Sequence, residues 1–176
     1  MLKKILLVIV VVVAALLAFA ATRPDTFEVS RQTHVAAPPA RVHAILDDFH
    51  NFAAWSPWHK LDPAMQVEIS GPRTGAGAQY AWSGNSNAGK GSMRILESTP
   101  QRVSMSLDFV EPFASSNTTD FQLAPDGDGT RVTWSMHGRH SYMTKLMTMF
   151  MSMDAMVGKD FEEGLANLKR VAENGG

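Results

Sequence analysis

Six histidines are the residues of this chain whose chemistry is most conspicuous. They are His34, His43, His50, His59, His137 and His140. A zinc site would need a recurring ligand spacing such as H-x-H or H-E-x-x-H, and the sequence contains neither. His137 and His140 flank Gly138-Arg139, near the predicted end of the last strand, where they would be surface residues or residues of a pocket rim. We predict no metal ion and no cofactor.

Other patterns associated with catalysis are incomplete. No serine lies in G-x-S-x-G, and the glycine-rich stretches 71–77 and 84–91 lack the strand-loop-helix context of a phosphate-binding loop. Asp126 and Asp128 resemble part of a calcium loop, but the downstream glutamate is missing and a hairpin turn explains them better. The chain has no cysteine, which excludes thiol catalysis and disulfides. We therefore predict no catalytic residue.

Two polar residues interrupt an otherwise apolar strand face. Asn117 and Thr119 alternate with the same period as Phe121 and Leu123, and polar groups on an inner face need hydrogen-bonding partners. They are candidates for polar anchors inside a cavity. The alternative is a bulge near residues 115–116 that turns both side chains to water.

The elements that must position these side chains are mostly strands. Alternation and turn residues predict strands over 27–35, 64–70, 79–83, 89–98, 101–110, 114–124 and 129–138. Ala37-Pro38-Pro39 ends the first strand and begins a short helix over 40–46. A second short helix over 47–54 ends before Ser56-Pro57, because the residue before a proline is disfavoured in helices.

Apolar residues at helical spacing predict one long helix from about 141 to 171, laid over one face of the sheet. Its apolar stripe contains Leu146, Met149, Phe150, Met153, Val157, Phe161, Gly164, Leu168 and Val171. The helix is rich in methionine, a flexible residue suited either to an adaptable cavity lining or to a loosely specified core. Met151 and Met156 fall off the stripe and would form an exposed apolar fringe.

The N-terminus has the pattern of a membrane-insertion segment. Lys3 and Lys4 precede an uncharged apolar run over 5–21, which as a helix would rise roughly 26 Å. We interpret 1–22 as a membrane anchor, although Ala18-Phe19-Ala20 also has the form of a signal-cleavage site. The positive charge predicts a single-pass protein with a cytoplasmic N-terminus and with residues 23–176 on the periplasmic or extracellular side.

The charge balance bears on partners. The chain has 16 Lys+Arg against 17 Asp+Glu, so the part after Lys3 and Lys4 carries a formal charge of about −3. A mildly acidic domain without a basic run argues against nucleic-acid binding.

Three segments carry a resemblance to a known superfamily. They are the opening PDTFEVSRQTHVAAPPARVHAILDDFHNFAAWSPWHKLDP, the hairpin DFQLAPDGDGTRVTWSMHG and the closing MFMSMDAMVGKDFEEGLANLKR. Together with the order of elements they resemble the START-like, polyketide cyclase-like (SRPBCC) superfamily. The resemblance implies an α+β helix-grip fold: a curved antiparallel sheet of six to seven strands, two short helices after the first strand, and a long C-terminal helix over the sheet.

Members of that superfamily bind hydrophobic ligands, cyclise polyketides, carry lipids or regulate partner proteins. Our leading hypothesis is a membrane-tethered, non-catalytic domain that binds a small hydrophobic or lipid-like molecule between the sheet and the closing helix. The candidate ligand contacts are Trp55, Trp58, Met93, Met105, Phe109, Asn117, Thr119, Trp134, Phe150 and Met153. Trp55 and Trp58 would act as a lid or pack at the junction between the short helices and the sheet.

Two alternatives stay open at this point. One is an enzyme of the cyclase/dehydrase type, in which Asp108, Asn117 or His137 would move protons. The other is a protein-interaction module with a filled core, similar to activators of heat-shock chaperone ATPases.

Overall fold

The computed structural model describes residues 1–140, 142–148 and 151–174. Five helices are α1 (Leu2–Ala21), α2 (Pro39–Leu46), α3 (Phe52–Trp55), α4 (Tyr142–Met147) and α5 (Met153–Asn174). Seven strands are β1 (Thr26–Val35), β2 (Gln66–Ser70), β3 (Gln79–Ser83), β4 (Lys90–Thr99), β5 (Arg102–Glu111), β6 (Ser115–Asp126) and β7 (Gly129–Arg139). Short 3₁₀ turns at Phe49–Asn51 and His59–Leu61 flank α3.

The strands form one antiparallel sheet in the order β1-β7-β6-β5-β4-β3-β2. Strands β2 to β7 each pair with the next strand along the chain. Strand β1 pairs with β7 and forms the edge of the sheet opposite β2. Register shifts at Lys90/Gly91 and Ile95/Glu97 of β4 mark bulges, which bend and twist a strand locally. The α+β helix-grip fold expected from the sequence is confirmed.

The closing helix is shorter than the sequence predicts. The predicted single helix over 141–171 is replaced by α4 and α5, with Met151 and Ser152 outside both helices. The side-chain oxygen of Ser152 accepts a hydrogen bond from the Ala155 backbone N–H at 3.1 Å. This is N-cap geometry, so Ser152 caps a new helix, α5, that begins at Met153. The predicted stripe residue Met149 lies outside the described residues.

One end of the sheet's inner face is tightly packed. Val103 of β5, Leu123 of β6 and Val132 of β7 are buried there, where α2 contacts all three strands and α5 contacts β7. Leu168 of α5 has no exposed surface. We call this region, together with Val35, Val42 and Leu46, the packed end.

Helix α1 extends away from the rest of the chain. Ala20 is buried, whereas the apolar residues over 5–12 have half or more of their surface exposed. The Arg23 guanidinium donates to the Thr148 carbonyl at 3.0 Å, and the Lys145 ammonium pairs with Asp25. Helix α1 is long and apolar enough to be a membrane span or a signal sequence.

Candidate ligand-binding cavity

A cavity of about 450 Å³ occupies the other end of the sheet's inner face. Its walls come from β3 to β7, from the segment around α3 and from the first half of α5. We call this region the cavity end. Ligand pockets for small molecules range from about 300 to 1,000 Å³ and are lined mainly by apolar and aromatic side chains, and this cavity has both properties.

The strands place their alternate residues into the cavity because side chains in a strand point to opposite faces in turn. Asn117 of β6 lies opposite Leu107 of β5, and Leu107 lies opposite Met93 of β4. Tyr80 of β3 continues this row. A second row contains Thr119 and Met105, again on neighbouring strands.

Nine of the ten residues proposed from the sequence line the cavity. They are Trp55, Trp58, Met93, Met105, Phe109, Asn117, Thr119, Trp134 and Met153. The tenth, Phe150, lies outside the described residues. Contact of these side chains with a ligand stays a prediction.

An aromatic cluster separates the cavity from the packed end. The rings of Trp134 and Phe161 are stacked, with centroids 4.1 Å apart and planes within 9°. Phe121 also stacks on Trp134, with ring centroids 4.9 Å apart. Gly164 of α5 lies directly over this cluster, since a Cβ at that position would be 2.6 Å from Trp134 Cζ3. The absence of a side chain at Gly164 therefore lets the helix approach the sheet.

Trp55 and Trp58 both pack at the junction between the short helices and the sheet. Trp55 is 2% exposed and meets Trp134 and Phe121 edge to face. Its indole N–H has no hydrogen-bond acceptor among the described residues. Trp58 is partly buried and donates its indole N–H to Asp160 Oδ2 at 3.1 Å. Both rings contribute to the cavity wall as well as to the packing.

The two polar candidates on β6 differ in how they are satisfied. The hydroxyl of Thr119 accepts from the Trp134 indole N–H at 2.7 Å and donates to the Ser135 carbonyl at 3.1 Å. Its hydroxyl thus stabilises the sheet. The amide of Asn117 lies against Gly138 and lines the cavity. The alternative of a bulge at residues 115–116 is wrong, because β5 and β6 pair without a register shift from Ser115 onward.

Sequence reasoning missed several lining residues. Tyr80, Leu107 and Phe113 belong to the cavity wall. Alternation within the correctly predicted strand over 79–83 would have identified Tyr80, and Leu107 shares its face with two proposed residues. Burial raises the pKa of the Tyr80 hydroxyl, so that hydroxyl stays protonated near neutral pH. Phe113 had no such signal, because it lies in the connection between β5 and β6.

The titratable residues proposed for proton transfer do not converge. Asp108 has the opposite alternation from the cavity-lining Leu107 and Phe109. His137 is exposed, with Nδ1 3.6 Å from Asp120 Oδ2. Neither residue lines the cavity, and Asn117 alone of that set does. Of the three residues named for a cyclase-type mechanism, two therefore lie outside the cavity wall.

Asp154 was a further candidate for abnormal titration. Its Oδ1 accepts from Arg31 Nη1 at 2.7 Å, and Arg31 Nε donates to Glu162 Oε1 at 2.8 Å. The hydrogen bond from Arg31 holds the pKa of Asp154 below its usual range. Asp154 is therefore ionised, and its ion pair with Arg31 joins the first turn of α5 to β1. Within the part of the chain that the structure describes, no three histidine or carboxylate side chains cluster as metal ligands.

The family model for polyketide cyclases/dehydrases and lipid transport proteins matches residues 26–173. The match covers most of the chain, so the chain belongs to this family. The comparison with curated proteins gave no match.

Solved structures of the same fold are similar to this chain at low sequence identity. A protein from Rhizobium leguminosarum superposes with a TM-score of 0.61 at 15% identity, covering 85% of this chain and 95% of its own. The Aha1 dimer from Colwellia psychrerythraea gives 0.60 at 16%, covering 85% and 98%. Protein CV1439 from Chromobacterium violaceum gives 0.58 at 19%, covering 86% and 99%. These similarities define the fold.

Proposed function

We propose that this protein is a membrane-tethered binding protein that holds one small hydrophobic or lipid-like molecule in its cavity. The observation that carries the proposal is the cavity of about 450 Å³ with its apolar and aromatic wall. Removing a ligand's apolar surface from water contributes about 25 cal/mol per Å². Such a wall favours hydrophobic molecules over polar ones.

Polar side chains are the minority on the wall and could orient the ligand. Asn117, Tyr80 and Arg139 lie on the lining, and a small number of placed polar groups is typical of a binding pocket that selects orientation. A molecule with an apolar body and one hydrogen-bonding end fits this distribution.

Two observations favour binding over the alternatives. An acid–base enzyme needs titratable groups that converge on the substrate. Asp108 and His137 do not line the cavity, and Asp160, which does, accepts the hydrogen bond of Trp58, which leaves His59 as the single histidine among the described lining residues. A filled-core interaction module leaves no space of this size between sheet and helix. The tether is supported by α1, which is long and apolar enough to span a bilayer.

The test is to purify the full chain from membranes in mild detergent, then identify bound molecules by native mass spectrometry and solvent extraction. We expect one hydrophobic molecule per chain. A Leu107→Trp substitution, which fills the cavity, should abolish binding while the protein stays folded. Leu96→Trp is the matched control, because Leu96 is exposed and does not line the cavity. Equal ligand content in both variants, or an empty wild-type protein that takes up no apolar dye, would refute the proposal.

A further inference from the structure

The cavity opens to the outside between apolar side chains. Leu61, Phe113 and Met156 line the cavity and are nevertheless 41%, 57% and 41% exposed. We call these three residues the apolar rim. Val110 and Met151, close in sequence to Phe113 and Met156, are also more than half exposed. Scattered apolar residues are normal on a protein surface, whereas a group of them around a pocket marks an interaction site.

The segment that follows α1 meets the domain beside the cavity wall. Asp25, which follows α1, pairs with Lys145 of α4, and the neighbouring Thr144 lines the cavity. Phe27, two residues after Asp25, also lines it. The same short segment is thus attached to the membrane-spanning candidate and to the cavity wall.

The connection leaves little freedom between α1 and the domain. Residues 22–25 separate α1 from β1, and four residues span at most about 14 Å when extended. The Arg23 side chain, bonded to the Thr148 carbonyl, restricts this segment further. A bilayer that contains α1 must therefore lie close to the cavity end of the sheet. The hairpin at Asp126–Gly129 lies at the other end of β6.

We propose that the apolar rim docks on the phospholipid bilayer spanned by α1, so that the cavity exchanges its ligand directly with the lipid phase. This inference rests on the proposed function, since it needs both the tether and a ligand. Phe113 and Met156 would enter the boundary between headgroups and acyl chains, where apolar side chains gain free energy by burial. Arg139, an exposed cation that also lines the cavity, would face the lipid phosphates.

The first test locates the rim relative to the bilayer. The chain has no cysteine, so Phe113→Cys and Asp128→Cys each accept a single environment-sensitive fluorophore. Asp128 is exposed in the β6–β7 hairpin, about 36 Å from Ser115 along β6. In phosphatidylcholine vesicles containing spin-labelled phosphatidylcholine, we expect several-fold stronger quenching at position 113 than at 128. Equal quenching, or stronger quenching at 128, would overturn the docking proposal.

The second test measures ligand exchange. Phe113→Ser should slow transfer of the bound molecule between the full-length protein and phosphatidylcholine vesicles several-fold. The rates are compared after each protein has been loaded to the same ligand content in detergent, because Phe113 also lines the cavity. Leu96→Ser is the matched control, since Leu96 is 53% exposed and lies outside the cavity wall, and its transfer rate should equal that of the wild type.

The two proposals fail in different ways. An empty cavity in detergent refutes the binding function, whereas the quenching measurement still reports on the rim. Normal ligand content with no difference between the Phe113→Ser and Leu96→Ser transfer rates refutes the docking of the rim alone. Release of a chain lacking α1 into the soluble fraction would show that α1 is a cleaved signal sequence. It would also refute the docking proposal, because no helix would then hold the rim at the bilayer.

Discussion

The two ends of the sheet's inner face are built from the same strand pattern but are filled differently. At the packed end, Leu123, Val132 and Leu168 of α5 belong to one core cluster and are almost completely buried. At the cavity end, Leu107 and Asn117 of the neighbouring row face a space of about 450 Å³. Alternation alone therefore does not determine whether an inner face becomes core or binding site.

The difference arises from what covers each end. Helix α5 approaches closely where Gly164 rests on Trp134 and where Leu165 and Leu168 are buried. Toward its N-terminus the same helix presents Met153 and Val157 to the cavity. The Trp134–Phe161 stack between the two regions acts as a wall, so the space is retained without opening the packed end to solvent.

The largest effect should come from truncating a residue of the packed end. Leu168→Ala is expected to lower the free energy of unfolding by about 3–5 kcal/mol, because it removes buried carbon atoms and leaves a new cavity. Met93→Ala should lower the free energy of unfolding by about 2 kcal/mol. It enlarges a space that already exists, so the loss is mainly that of the buried apolar surface of the methionine. Urea unfolding of the detergent-solubilised full chain measures both. Equal losses would contradict the contrast between the two ends.

An intermediate effect should follow from filling the close approach of α5. Gly164→Ala is expected to destabilise by about 1–2 kcal/mol, because overpacking against Trp134 exceeds the gain of roughly 1 kcal/mol in helix propensity. Gly158→Ala on the same helix is the control. There the added carbon meets the guanidinium end of Arg31, which can move. A destabilisation of equal size in both variants would show that Trp134 is not what requires Gly164.

A smaller, pH-dependent effect should appear at the cavity end. Burial, with the nearby charges of Lys145 and Arg23, lowers the pKa of His140, and the ring packs against Phe27 with centroids 5.1 Å apart. An unfolded histidine titrates near pH 6.5. Below that pH the unfolded chain binds the proton more readily, so stability should fall as pH drops from about 6.5 through the lower folded pKa.

The measurement compares thermal unfolding of the wild type and His140→Gln between about pH 7.5 and 5.5. The wild type should lose more stability than the variant over that interval. Above it, the stability of the two proteins should depend on pH in nearly the same way. The carboxyl of Asp48 does not titrate within this pH interval. Burial acts to raise the pKa of its carboxyl, but hydrogen bonds from His50 and Arg73 outweigh this and hold the pKa below its usual range. Parallel pH profiles for the two proteins would remove His140 as the cause.

The sequence predicted the strands well because each has one apolar face and clear turn residues. The strand over 79–83 was placed without error, and the hairpin at Asp126–Gly129 forms the β6–β7 turn. The family followed from the same segments. The prediction was wrong at the closing helix. The helical spacing of apolar residues continues through residues 151 and 152, whereas the side chain of Ser152 caps a separate helix.

By itself, the sequence determined the order and faces of the elements and the apolar N-terminal helix, because periodicity and residue type act locally along the chain. Only the tertiary structure decided which inner-face residues would be buried and which would surround a cavity. It also decided that both Thr119 and Asn117 line the space and that the Thr119 hydroxyl accepts the hydrogen bond of the Trp134 indole. These outcomes depend on how closely α5 approaches each part of the sheet, and that distance is set by contacts between residues far apart in the chain, such as Gly164 and Trp134.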